Sequence, residues 1–141
     1  MIKTFRANLA DGEQDTIRLS TNNGLTGYRL NKLEIIGPDA NQTLEGVIKI
    51  YTRAPAAVND DIDFDDQSLI AAAIWKSTTS ANNISGVQVV MEHTIVNQDL
   101  FVVYSIGAGT GNMNYYLELE QVKLDLSEAT VATLKDMRGT E

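Results

Sequence analysis

Apolar and polar residues alternate along short segments of this chain, and turn-forming residues separate one segment from the next. A two-residue period predicts β-strands that bury one face, and clusters of Gly, Pro, Asn and Asp mark their ends. The predicted strands span residues 2–9, 16–20, 28–36, 46–53, 86–96, 100–106 and 115–124. The phase of the alternation changes at Asn31–Lys32, which indicates a β-bulge or a bend in the third of these strands.

Two segments carry helical signals. Asp66 stands before the apolar run Leu69–Trp75, and an acidic residue in front of such a run predicts a short internal helix over residues 66–75. Further along, Asp125 and Glu128 have the spacing of a capping box, which predicts a C-terminal helix at about residues 126–138. The apolar face predicted for this second helix consists of Leu126, Ala129, Val131, Ala132, Leu134 and Met137.

Short strands separated by turns, with one or two short helices, are typical of two packed antiparallel sheets. The predicted fold class is therefore mainly β: an antiparallel, jelly-roll-like β-sandwich with one short internal helix and a C-terminal helix. A chain of 141 residues fits one domain, and its sequence contains no repeat and no change of composition along its length. We expect a single β-sandwich domain over residues 1–141.

Composition and charge narrow the classes of function. The chain has no cysteine, which excludes disulfides, thiolate catalysis and Cys-based metal sites. Its net charge is −8 and its eleven Lys and Arg residues are scattered, so we expect neither a nucleic acid nor a membrane as partner. The longest apolar run, Leu69–Trp75, is too short to span a bilayer.

The acidic run at residues 60–66 is the most unusual local feature of the sequence. Asp61, Asp63 and Asp65 would project from one face of an extended segment, and calcium binds several hard oxygen ligands. The EF-hand pattern fails, because Asp66 stands where Gly is needed and Ala72 stands where Glu is needed. Two interpretations stay open: a solvated loop that ends in a helix N-cap, and a calcium site at Asp61, Asp63 and Asp65.

Other candidate sites lack part of the pattern that their chemistry requires. His93 alternates with apolar neighbours, which predicts a partly buried, hydrogen-bonded side chain rather than a catalytic or metal-binding one. The glycine-rich segment 107–111 is followed by Asn112 where a phosphate-binding loop needs Lys, and a strand rather than a helix comes next. We therefore expect no enzymatic activity, no catalytic residues and no cofactor other than the calcium considered above.

Two parts of the sequence carry a family resemblance. One combines residues 47–53 (VIKIYTR) with residues 62–73 (IDFDDQSLIAAA), and the other is residues 115–126 (YYLELEQVKLDL). Together they resemble the small virion proteins of marine tailed phages that decorate the head. This resemblance implies a β-sandwich bound to an icosahedral shell as a homotrimer or other homo-oligomer, located in the virion after assembly in the host cytoplasm.

The leading hypothesis is a viral structural protein, a capsid decoration or cement protein that binds the outside of a phage head and stabilises it. Its expected partners are the major capsid protein and neighbouring copies of itself, with the strand at residues 2–9 able to pair with a neighbour by strand addition. The alternative is a carbohydrate-binding or adhesion β-sandwich module assisted by calcium. An enzyme ranks last, because only carboxylates are available for hydrolysis.

Overall fold

The computed structural model describes residues 1–21, 24–39, 42–78 and 83–138, and it is an antiparallel β-sandwich with a C-terminal helix. Within these ranges the elements are β1 (Ile2–Leu9), β2 (Gln14–Ile17), β3 (Thr26–Ile36), β4 (Leu44–Tyr51), β5 (Leu69–Thr78), β6 (Asn83–Val90), β7 (Ile95–Val96), β8 (Leu100–Gly109), β9 (Met113–Lys123) and α1 (Leu126–Arg138).

The order of the strands identifies a jelly roll. One sheet has four strands in the order β1-β9-β3-β7, and the other has five in the order β2-β8-β4-β5-β6. All of these pairings are antiparallel, and the chain crosses repeatedly from one sheet to the other. Without β6, the eight remaining strands have the two-sheet arrangement of a jelly roll, so β6 is an added edge strand. The predicted antiparallel, jelly-roll-like β-sandwich is therefore confirmed.

The core lies between the inner faces of the two sheets. On β9, Tyr115, Leu117 and Leu119 are buried while the residues between them are partly exposed, as the alternation predicts. The predicted bulge in β3 is also confirmed, because the register with β9 shifts between Leu30 and Lys32. The bulge lets both halves of β3 direct apolar residues inward despite the change of phase.

The internal helix predicted over residues 66–75 is wrong. Leu69–Thr78 is β5, a strand that pairs with β4 on one side and β6 on the other. Asp66 caps a turn instead of a helix, since its side-chain oxygen accepts hydrogen bonds from the backbone N–H and the hydroxyl of Ser68. Ala71, Ala72 and Ala73 are buried because both faces of this part of the sheet are covered. Such a strand has no alternation that would distinguish it from a buried helix.

The single strand predicted over residues 86–96 is also wrong, because the structure divides it between the two sheets. β6 ends at Val90, a turn follows in which the Thr94 N–H donates to the Met91 carbonyl, and Ile95–Val96 joins the other sheet as β7. β7 pairs with Tyr28 and Arg29 of β3. The second half of β3 therefore lacks a β7 partner on that side, and β6 contacts β3 from the opposite sheet.

The predicted C-terminal helix is confirmed, but its apolar face is not. The capping box is formed: the Glu128 N–H donates to Asp125 Oδ1 over 2.8 Å, and the Asp125 N–H donates to Glu128 Oε1 over 3.2 Å. Ala129 and Ala132 are the buried positions of the predicted face, packed with Leu124. The other described members are exposed, namely Leu126, Val131 and Leu134, and the side chain of Met137 lies outside the described part.

Candidate functional site

The acidic run folds over a buried lysine. Lys49 lies on the outer face of β4 and is 2% exposed, because the connection from β4 to β5 covers it. Its ammonium donates to the Asp61 carbonyl over 2.6 Å and to Asn59 Oδ1 over 3.2 Å. It also lies 5.6 Å from the ring centroid of Tyr51. The ammonium of Lys49 therefore binds oxygens of the same loop that contains the candidate calcium ligands.

The electrostatics of this loop follow from burial. Burial lowers the pKa of Lys49, although the carboxylates of Asp61, Asp60 and Asp66 oppose the shift by stabilising the charged form. Burial raises the pKa of Tyr51, and the same acidic surroundings add to that effect. A small apolar cluster anchors the loop, formed by Tyr51, Leu69 and Val103 with Val58, Ile62 and Phe101 against them.

The three candidate calcium ligands do not lie along an extended segment. A turn forms instead, in which the Asp66 N–H donates to the Asp63 carbonyl and the Asp65 N–H donates to Asp63 Oδ1. Asp61, Asp63 and Asp65 are all exposed. Among the described residues, no three acidic or histidine side chains are grouped so that they would hold a metal ion. The calcium site stays a prediction, and this geometry gives it no support.

His93 lies in a turn, and the glycine-rich segment lies at the end of β8 and in the connection that follows it. His93 is exposed in the turn between β6 and β7, so the prediction of a partly buried side chain is wrong. Gly109 ends β8 with φ +82°, and a Cβ there would lie 2.2 Å from the Thr43 carbonyl oxygen. A glycine is needed at this position because the backbones approach closely, and phosphate binding is not required to explain it.

The β6 strand forms an edge without charge. Its eight residues, NISGVQVV, contain no ionisable side chain, and in the described structure its neighbour within the sheet is β5 alone. On its outer face Val87 is 66% exposed and Val89 is 40% exposed, beside Ile74 of β5, which is 42% exposed. We call Ile74, Val87 and Val89 the edge patch. A second exposed apolar surface, the helix patch, consists of Leu126, Val131 and Leu134 of α1.

A cleft of about 750 Å³ lies on the four-stranded sheet, where β6 reaches β3. Cross-strand register places Arg6 of β1 and Glu34 of β3 on either side of Tyr116 of β9. Gln88 of β6 lines the side of the cleft. The full lining consists of Arg6, Ala7, Glu34, Ile35, Ile36, Gln88, Asn114, Tyr115 and Tyr116.

Hydrogen bonds hold two of these side chains in place. The Tyr116 hydroxyl donates to Glu118 Oε1 over 2.7 Å, so its ring runs along β9, and this bond raises the pKa of Tyr116. Asn114 accepts a hydrogen bond from Asn8 over 2.8 Å and donates to the Ile36 carbonyl over 3.3 Å. We call this site the Tyr116 cleft.

Sequence reasoning missed both the edge and the cleft. Arg6 and Tyr116 are far apart in sequence and become neighbours through the pairing of β1 with β9. The absence of charge on β6 is visible in the sequence, but the strand predicted over residues 86–96 covers only the second half of β6. Alternation predicts strands without predicting which of them lies at an edge.

No protein-family model and no curated protein matches this sequence. Among solved structures, the Drosophila NLP core, whose structure is described in terms of pentamer formation and histone binding, is 13% identical with a TM-score of 0.48, covering 89% of this chain and 100% of that one. The structure of tomato aspermy virus is 6% identical with a TM-score of 0.46, and the match covers 88% of this chain and 79% of that one. CsCBM6-3 from Clostridium stercorarium, in complex with cellobiose, is 11% identical with a TM-score of 0.37, and the match covers 86% of this chain and 82% of that one.

These similarities concern the arrangement of strands and carry no argument about function. The class that the structure itself defines is an antiparallel β-sandwich of jelly-roll order. Within the described residues, no helix has the length and apolar character needed to cross a membrane.

Proposed function

We propose that this chain is a structural protein of a virus particle, a decoration protein that binds the outside of a phage capsid as a homo-oligomer. Jelly rolls occur in viral capsid proteins and in lectins, so the fold is compatible with this function without selecting it. The observation that carries the proposal is the uncharged edge of β6, because an unprotected edge strand is a site where another chain adds.

The other strand edges of the two sheets are protected. β1, the strand expected from sequence to pair with a neighbour, carries Lys3 and Arg6, so we assign that pairing to β6 instead. β2 has four residues and β7 has two. Charge and short length are both devices that prevent pairing between sheet edges. β6 has eight residues and neither device. Its exposed backbone groups can therefore continue the five-stranded sheet into a second molecule.

The uncharged edge of β6 suits a second copy of this chain as the molecule that adds there. With a net charge of −8, two copies repel each other at long range, so self-association requires a contact surface that brings no like charges together. Antiparallel pairing of two β6 strands about a two-fold axis meets this condition, and it brings the edge patches of both copies together. The helix patch then stays free for the capsid surface, where many copies on a symmetric lattice make a modest contact sufficient.

The self-association is tested with a matched pair of substitutions. Val87→Lys places a charge in the edge patch, and Val131→Lys places the same charge in the helix patch, at a residue of similar exposure. We expect light scattering after gel filtration to give an oligomer for the wild type and for Val131→Lys, and a monomer for Val87→Lys. A monomeric wild type would overturn the role assigned to β6.

The capsid contact is tested by co-sedimentation with purified phage heads from the same source, followed by cryo-electron microscopy. We expect density for the wild type on the outside of the shell and reduced binding for Val131→Lys. Absence of the protein from purified virions, together with no binding to the heads, would overturn the proposed function. We also propose that the chain has no enzymatic activity; turnover that Asp63→Asn abolishes would contradict this.

A further inference from the structure

We propose that the Tyr116 cleft binds a neutral saccharide chain. This inference does not depend on the proposed role on a capsid, because Arg6, Glu34 and Tyr116 lie on the four-stranded sheet and β6 contributes only Gln88 to the cleft. The volume of about 750 Å³ lies within the range of small-molecule sites in proteins. The cleft is open to solvent, which suits a chain that continues beyond the site better than an enclosed single sugar.

The aromatic ring gives the cleft an apolar surface among polar groups. Because the Tyr116 hydroxyl is directed toward Glu118, the ring runs along the strand and lines the cleft, with the Lys32 ammonium 6.0 Å from the ring centroid. Ile36, which is 59% exposed, adds a second apolar surface in the next row of the sheet. A sugar ring has apolar C–H faces as well as hydroxyl groups, so an aromatic body with a polar end matches it.

The polar groups alternate between donors and acceptors. Arg6 offers guanidinium N–H donors, and within the described part of the chain these have no hydrogen-bond or ion-pair partner. Glu34, whose other contact is a salt bridge of 3.4 Å to the Nζ of Lys32, offers carboxylate acceptors. Gln88 offers both kinds of group through its amide. Sugar hydroxyls donate and accept, so they can satisfy all three side chains at once.

Charge selects a neutral ligand over an acidic one. Arg6 and Glu34 carry opposite charges on the two sides of Tyr116. Lys32 over its ring and Glu118 at its hydroxyl form a second opposite pair, so these four residues leave the centre of the cleft without net charge. A carboxylate or phosphate held by Arg6 would meet Glu34 nearby and the net charge of −8 on the chain. The cleft is partly organised before binding, because the amide of Asn114 is held by Asn8 and by the Ile36 carbonyl.

The test uses a glycan array and calorimetric titration with cellohexaose, laminarihexaose and xylohexaose as neutral probes and a galacturonic acid hexamer as the acidic probe. We expect at least one neutral hexamer to bind. Tyr116→Ala should weaken that binding about tenfold, while Tyr116→Phe keeps it. Arg6→Ala should also weaken it. Phe64→Ala is the matched control, since Phe64 is an exposed aromatic residue outside the cleft lining.

Thermal unfolding of each variant checks that the fold is retained. Binding of the acidic hexamer alone would overturn the inference, and so would binding of no neutral glycan on the array. Equal loss of binding in Phe64→Ala and Tyr116→Ala would also overturn it, because the ligand would then not depend on the cleft. These outcomes leave the capsid proposal unaffected, because glycan binding is measured separately from the oligomeric state and from binding to phage heads.

Discussion

The ammonium of Lys49 donates a hydrogen bond of 2.6 Å to the backbone carbonyl of Asp61, and this contact ties the acidic loop to the centre of the five-stranded sheet. The loop concentrates negative charge, and the lysine is the positive group buried beneath it. We expect Lys49→Met to lower the free energy of unfolding by about 2 kcal/mol, because hydrogen bonds to a charged donor are lost. Urea unfolding monitored by the fluorescence of Trp75 measures this change.

Lys76→Met is the control for Lys49→Met. The Nζ of Lys76 lies 3.1 Å from Glu45 Oε1, but its side chain is 56% exposed, so the ion pair is solvated. We expect its loss to cost less than about 1 kcal/mol. Equal effects of the two substitutions would show that the buried contact contributes nothing specific.

Calcium is expected to leave the stability of the wild type unchanged. The Asp61 carbonyl already accepts a hydrogen bond from Lys49, and Asp63 Oδ1 already accepts one from the Asp65 N–H. Thermal unfolding in excess calcium chloride and in EDTA should give the same midpoint. A higher midpoint in calcium that Asp63→Asn removes would restore the predicted calcium site.

Asp99 stabilises the fold in a pH-dependent way. Burial alone would raise its pKa, but the N–H groups of Ser20 and Leu19, with Arg18 nearby, lower the pKa below its ordinary 3.8. The folded state therefore holds this proton more weakly than the unfolded state does. The stabilisation is present above the ordinary value and is lost as the pH falls through the folded-state pKa.

We expect Asp99→Asn to reduce the free energy of unfolding by about 2 kcal/mol at neutral pH, since hydrogen bonds of 2.8 and 2.9 Å to a charged acceptor are weakened. The difference from the wild type should shrink when urea unfolding is repeated below pH 4. Arg18→Ala should have little effect, because this side chain is 84% exposed at 4.0 Å from Asp99. A difference that does not depend on pH would contradict the argument.

Tyr104 makes the fold sensitive to alkaline conditions. Its hydroxyl donates to the Gly111 carbonyl over 2.9 Å, and burial, with a smaller effect of Asp11, raises the pKa of Tyr104 to about 12. An unfolded chain loses this proton near the ordinary value of 10.0, so stability falls as the pH rises from there toward 12. Tyr104→Phe should lessen this fall and cost about 1 kcal/mol at neutral pH.

An ultraviolet titration of the folded wild type checks the same point. Tyr104 and Tyr115 should ionise above the ordinary tyrosine pKa of 10.0, because burial raises the pKa of both, and for Tyr115 the hydrogen bond to Asp15 adds to the effect. Ionisation of all five tyrosines near pH 10 without unfolding would contradict the prediction.

Gly109 and Gly12 form a matched pair of turn positions. Both have positive φ, +82° and +79°, but a Cβ at Gly109 would lie 2.2 Å from the Thr43 oxygen, whereas at Gly12 it would meet nothing within 4 Å. Gly12→Ala should cost about 1 kcal/mol for the backbone conformation alone. Gly109→Ala should cost at least about 3 kcal/mol, because the clash is added. Similar thermal midpoints for the two variants would exclude the close approach.

The features predicted correctly from sequence have local causes. The alternation in β9, the bulge beside Lys32 and the capping box of Asp125 and Glu128 each depend on residues a few positions apart. The apolar run of β5 predicts a helix as readily as a strand, because a strand covered on both faces has no period of two. For α1, periodicity predicts an apolar face without showing how much of that face the sandwich covers, so the exposure of Leu126, Val131 and Leu134 does not follow from the sequence.

The candidate sites depend on contacts that composition does not reveal. The acidic loop was recognised, but the position of Lys49 beneath it depends on how the connection folds back over β4. The cleft requires Arg6, Glu34 and Tyr116 in one row, and that row exists only after β9 has inserted between β1 and β3. Its members are separated by most of the chain, so no local pattern could bring them together.

The pairing of β1 with β9 sets the order in which the protein can fold. Ile2 lies opposite Glu120 and Leu9 lies opposite Met113, so the first strand has to wait for nearly the whole chain before its partner exists. Pairing over so long a sequence separation is slow, and unpaired apolar strands are prone to aggregate in the meantime. During synthesis the sandwich therefore closes only after β9 has left the ribosome, and a chain truncated before Met113 is expected to aggregate rather than fold.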